Sequence, residues 1–101
     1  MMALDLTKQN FDQETRNGTV IVDFWASWCG PCRMLAPVVE QISQEHKDWK
    51  VCKVNVDEEP ELAQQFGVMS IPTVVHLSNG TEVGRSVGLM AKEQLLAQLH
   101  L

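Results

Sequence analysis

Cys29 and Cys32 are separated by a two-residue spacer, and thiols at that spacing can close a small disulfide ring or grip a metal ion from two corners. The stretch Cys29-Gly30-Pro31-Cys32 lies where an apolar run, 19–25, gives way to a helical pattern beginning near Pro31. Pro31 suits the first helical position, where its missing N–H would be unpaired in any case. Cys29 then sits at a helix N-terminus, beside free N–H groups and the positive end of the helix dipole. A thiolate is stabilised there, so its pKa falls below that of a free thiol. The pair therefore offers a nucleophile with a second thiol in reach. A zinc site is the alternative, and it needs two more ligands. Only Cys52, His46, His76 and His100 remain, and none forms a second pair at ligand spacing.

The elements that must hold this stretch follow from pattern. The run 19–25 is rich in β-branched residues and apolar almost throughout, as in a strand buried on both faces; only Asp23 interrupts it. From 31 to 45, Leu35, Val38, Val39 and Ile42 recur at helical spacing, with Pro37 predicting a kink. Residues 3–6 alternate as a short edge strand, and Thr7 is the expected N-cap of a helix over 8–16. A second buried strand spans 49–56, and a short helix 61–66 stops at Gly67. Strands 73–77 and 82–87 flank Asn79-Gly80, a strong hairpin signal. A last helix covers 91–100. The order is β-α-β-α-β-α-β-β-α, with helices on both faces of a mixed sheet: an α/β architecture. In such open sheets chemistry gathers at the carboxyl ends of strands, which is where the two thiols fall.

At 101 residues the chain is expected to form one domain over 1–101. No apolar run approaches the ~20 residues of a membrane helix. Residues 1–6 lack the basic, apolar and small-residue regions of a signal peptide, so a cytoplasmic location is expected. A formal net charge of −5 argues against nucleic acid. Three cysteines make no structural disulfide framework, and in a reducing compartment a close pair is catalytic or metal-binding.

The residues also resemble the thioredoxin family. Val22-Asp23-Phe24-Trp25-Ala26 followed by Trp28-Cys29-Gly30-Pro31-Cys32 is similar to that family's active-site signature. The likeness continues through Ala36-Pro37, Lys53-Val54-Asn55-Val56-Asp57, Ile71-Pro72-Thr73, Asn79-Gly80 and Val87-Gly88, in the right order. The resemblance implies the thioredoxin fold, a five-stranded mixed sheet of order 1-3-2-4-5 flanked by four helices. It implies a protein-disulfide reductase whose exposed Cys29 attacks a client disulfide and whose deeper Cys32 resolves the mixed disulfide. It also implies recharging by an NADPH-dependent thioredoxin reductase. Gly30-Pro31 is similar to the reducing members; oxidising and isomerising relatives usually carry His where Pro31 stands.

The same resemblance makes Asp23 a proton acceptor for Cys32 and Lys53 its charge partner. A buried carboxyl in an apolar strand has a raised pKa; the bland alternative is a strand-end residue facing water. Pro72 becomes a cis-proline beside the thiols, with the Ile71 backbone left to pair with an extended client. Trp28, Gly30, Pro31, Met69, Ile71, Pro72, Gly88 and Leu89 become an apolar docking patch. Cys52 is expected to be an inert buried thiol, the three histidines surface residues, and 57–61 a solvated acidic loop. Nothing resembles a Gly-rich phosphate loop, so no bound nucleotide or other cofactor is expected. A monomer is expected, and a non-catalytic clamp using the same patch is the rival from another class. Ser27, Arg33, Met69, Ser70, Leu77 and Ala91 depart from the family pattern. The first four border the patch and put partner preference in question.

Overall fold

The central strand β2, Thr19–Trp25, explains the layering of the molecule, a computed structural model that describes residues 3–101. Alternate side chains of a strand point to opposite faces. Val20, Val22 and Phe24 accordingly enter one core with Leu6, Phe11, Cys52, Val54 and Leu62. Ile21 enters a second core with Leu35, Val39, Ile42, Leu95 and Leu99. Phe11 and Leu62 belong to helices α1, Phe11–Thr15, and α3, Pro60–Gln65, which cover the first face. The second face is covered by α2, Gly30–Glu45, and α4, Lys92–Gln98.

The sheet runs β1-β3-β2-β4-β5, where β1 is Leu4–Asp5, β3 Lys50–Asn55, β4 Thr73–Ser78 and β5 Thr81–Val87. β2 pairs parallel with β3, Asp23 opposite Lys53, and antiparallel with β4. Both the element order and the sheet order match the expectation. The Asn79-Gly80 turn has positive φ at both residues, 49° and 85°, as a two-residue primed turn requires. Asn79 also bonds Gly18 through side chain and backbone, tying the hairpin to the turn before β2.

Two details differ near the N-terminus and in α2. Thr7 caps the turn that leads into α1 and not the helix itself: the Asn10 N–H donates to Thr7 Oγ1 at 3.4 Å and the Thr7 N–H to Asn10 Oδ1 at 2.7 Å, while the helix begins only at Phe11, with Asn10 at its N-cap position. Helix α2 starts one residue early, so Pro31 takes the second helical position. Met1 and Met2, on which the expectation of no signal peptide partly rests, lie outside the described residues. No helix among them is long and apolar enough to cross a membrane.

The clearest correction is His76, expected at the surface and found 6% exposed. In β4, Val75 and Leu77 face the first core, so period-two alternation drives His76 under α4. Its Nδ1 lies 2.7 Å from the Leu99 carbonyl. A carbonyl only accepts, so the ring donates, satisfying an end-of-helix C=O that would otherwise lack a partner. His100 is exposed, with Nδ1 2.7 Å from the Val83 carbonyl, and His46 stacks half-buried on Trp49. The same helix end presses on Gly84, where an added Cβ would fall within 2.9 Å of Leu99 Cα. Gly84→Ala is therefore expected to destabilise the protein by about 1–3 kcal/mol, read as a lower urea midpoint at unchanged slope.

Candidate active site

Helix α2 delivers both thiols. Cys29 is its N-cap, with extended backbone, and its sulfur accepts a hydrogen bond from the Cys32 N–H at 3.2 Å. The two cysteines form a disulfide with Cα atoms 5.3 Å apart. The helix start thus places one sulfur over free N–H groups and the other one turn deeper, an arrangement that favours a thiolate at Cys29. The expectation that Cys29 is exposed needs correcting: it is 4% exposed, against 2% for Cys32. Ala26 packs with the two sulfurs, and Trp25, Val56 and Ile71 close over them, so only a narrow part of Cys29 meets solvent.

Asp23 shares the α2 face of β2 with Ile21, and it is buried. Burial pushes its pKa from 3.8 up to about 7, while the Lys53 charge opposes that rise. A cavity of about 140 Å³ is lined by Asp23, Trp25, Cys32, Arg33, Ala36 and Lys53, so the carboxyl and the deeper cysteine open on one small space. Lys53 acts on Asp23 by charge rather than by a hydrogen bond. Its ammonium pairs with Asp5 at 3.7 Å and lies 5.4 Å from the centroid of the Trp25 ring. No described residue donates a hydrogen bond to Asp23 Oδ1.

The Ile71–Pro72 bond is cis, as expected for this stretch. It brings the Ile71 carbonyl to 3.8 Å from Cys29 Sγ, while the Gly88 N–H donates to the Pro72 carbonyl at 2.8 Å. Pro72 itself is buried, and Pro31 and Leu89 are exposed. On the Ile71 side a groove of about 380 Å³ is lined by Trp28, Val56, Ala63, Val68, Met69, Ser70 and Ile71. Trp28, Met69 and Ile71 of the expected patch therefore meet in one concavity. Gly30, Pro31, Gly88 and Leu89 lie outside its lining.

Ala63 and Val68 belong to the groove but were not singled out in the sequence: as isolated apolar residues in a short helix and a loop they carry no periodic signal. Val56, expected as the end of a strand over 49–56, lies just past β3 and lines the groove as well. Asp57 is not merely solvated: its Oδ2 accepts the Trp28 indole N–H at 2.8 Å. Trp28 is 67% exposed, and water satisfies an exposed indole N–H as well, so no sequence signal pointed to Asp57. Glu59 and Glu61 likewise accept from the Lys8 backbone and side chain, so the acidic run is partly engaged. Arg33 donates to the Ser27 carbonyl at 2.9 Å, binding the loop that carries Trp28 to the first turns of α2.

Cys52 is fully buried on the opposite face from Lys53, and burial pushes its thiol up to about 12. Among the described residues no three His, Cys, Asp or Glu side chains are grouped to hold a metal ion.

The family model that matches is Thioredoxin, over residues 2–100. The chain is 51% identical over 98 residues to a thioredoxin of Alicyclobacillus acidocaldarius, covering 95% of this chain and 93% of the relative. It is 49% identical over 104 aligned positions to that of Bacillus subtilis, covering all of both chains. With the thioredoxin of Listeria monocytogenes it shares 48% over 95 residues, 93% of this chain and 92% of the relative.

Proposed function

Since the chain belongs to the thioredoxin family and is a protein-disulfide oxidoreductase, we propose that it reduces client disulfides through Cys29 and is recharged by an NADPH-dependent thioredoxin reductase. The Cys29 thiolate attacks one sulfur of the client disulfide, forming a mixed disulfide and releasing the other client sulfur as thiolate. Cys32 then attacks Cys29, closing the ring found in this structure and freeing the second client thiol. Two electrons pass to the client, and the pair is oxidised. Cys32 must lose its proton to attack. Asp23, on the same small cavity and with a pKa near 7, takes it, and the Lys53 charge keeps that carboxyl able to ionise.

In this reading Trp28, Met69 and Ile71 receive an apolar client segment. The Ile71 backbone, next to cis-Pro72, pairs with the client main chain, and Gly30, Pro31, Gly88 and Leu89 extend the contact. The protein works as a monomer in the cytoplasm, with the whole chain 1–101 as one domain. The observation that supports this most is the bond from the Cys32 N–H to the Cys29 sulfur, which favours charge on the attacking atom and not on the resolving one.

Trapping tests the assignment. Cys32→Ser is expected to accumulate about one mixed disulfide per chain through Cys29 when mixed with a disulfide client, since the second attack is removed. Peptide mapping that found the client on Cys52 would overturn the roles given to both cysteines.

A further inference from the structure

Met69 stands out among the side chains of the groove: it is 95% exposed although it is apolar, and it shares the groove with Val56 and Ile71, which pack against the Cys29–Cys32 disulfide. We propose that Met69 is a peroxide-sensitive modification site, and that its conversion to the sulfoxide weakens client docking beside Cys29. The inference rests on the docking reading above. Thioether oxidation follows access to the sulfur. A hydroperoxide transfers its terminal oxygen to the Met69 sulfur; the O–O bond breaks, the sulfur loses two electrons, and water or an alcohol leaves. The new S–O group is a strong hydrogen-bond acceptor on a wall that an apolar client side chain must strip of water. Two electrons from a sulfoxide reductase, with the oxygen leaving as water, restore the thioether.

The other described methionines provide an internal comparison. Met34 is 65% exposed but lies on α2 and does not line the groove. Met90 is half-buried, and its sulfur accepts the Ser86 hydroxyl at 3.3 Å. Oxidation is therefore ordered Met69, Met34, Met90, and only the first touches the docking wall.

The test uses the full chain in its disulfide form, so that Cys29 and Cys32 are not free to react with peroxide. After graded hydrogen peroxide, peptide mass mapping is expected to find the added oxygen first on Met69. The KM for insulin then rises about fivefold while reduction of a small aromatic disulfide keeps its rate. Sulfoxide reductase with a dithiol restores the KM. In Met34→Leu the treated-to-untreated KM ratio rises as in the wild type; in Met69→Leu that ratio stays at one. Oxidation of Met34 ahead of Met69, or an unchanged KM with Met69 oxidised, overturns the proposal alone. Failure of the untreated chain to reduce insulin faster than Cys29→Ser overturns the docking reading, and this proposal with it.

Discussion

Cys29→Ser is expected to lower insulin-disulfide reduction to the rate of dithiothreitol alone. Serine is itself a favoured N-cap, so the substitution keeps the acceptor that the Cys32 N–H needs, and α2 starts where it did. What is lost is the thiolate. Neither remaining thiol replaces it. Cys32 is 2% exposed and lies a turn inside the helix. Cys52 is sealed in the core on the other sheet face, and with a pKa of about 12 its thiolate fraction near pH 7.5 is on the order of one in 10⁴ to 10⁵. Insulin turbidity measures the rate, and far-UV circular dichroism shows whether the fold is kept. A Cys29→Ser chain that folds and still reduces insulin as fast as the wild type would sink catalysis at this site.

The parts of the site that were legible are those where one residue type answers one physical demand. An apolar β-branched run has to be a buried strand, so β2 and its place in the middle of the sheet followed from residues 19–25. Asn79-Gly80 answers a turn that needs positive φ twice. A cysteine before Gly-Pro answers a helix start. Asp23 was visible as the one charge inside β2, and its burial carries the raised pKa with it. The parts that stayed hidden depend on partners distant in the chain. His76 is polar enough to pass for a surface residue, and only the end of α4, 23 residues on, makes burying it tolerable. Gly84 looks like an irregular strand position until the Leu99 backbone is laid against it. Asp57 is drawn out of an acidic run by an indole 29 residues earlier. The exposure of Cys29 was overstated because Val56, just past β3, and Ile71, in the loop before β4, pack over it, and nothing in residues 29–32 shows either neighbour.

That contrast separates what holds the fold from what shapes the reaction. The helix start and the central strand bring the thiols and Asp23 together through local chemistry alone. On the proposed reading client selection falls instead to the groove wall, assembled from 56–71 and Trp28, and this is where Met69 and Ser70 depart from the family pattern. That reading lets reactivity and partner preference vary independently in this chain, the first through α2 and β2, the second through the loop before β4.

Asp23→Asn is expected to give a more stable protein that releases its clients more slowly. Between the ordinary carboxyl value of 3.8 and about 7, the folded chain keeps a proton on Asp23 that the unfolded chain has given up. Stability therefore falls as pH rises through that window and stays low above it, because a charge is then held in a site made for the neutral form. At about 1.4 kcal/mol per pKa unit, the penalty reaches about 4 kcal/mol above pH 8 and about 1 kcal/mol near pH 4.5. Asparagine carries no charge at any pH, so its advantage over the wild type should grow across the same interval. Guanidinium unfolding of the disulfide form at the two pH values measures it; a constant difference would mean that Asp23 ionises as freely in the fold as in the open chain. The kinetic half of the expectation is separate. Mixed disulfides through Cys29 should persist longer near neutral pH in Asp23→Asn, since the only carboxyl among the described residues lining the Cys32 cavity is gone. A variant that gained the stability but released clients at the wild-type rate would leave Asp23 as a buried charge with no part in the proton transfer.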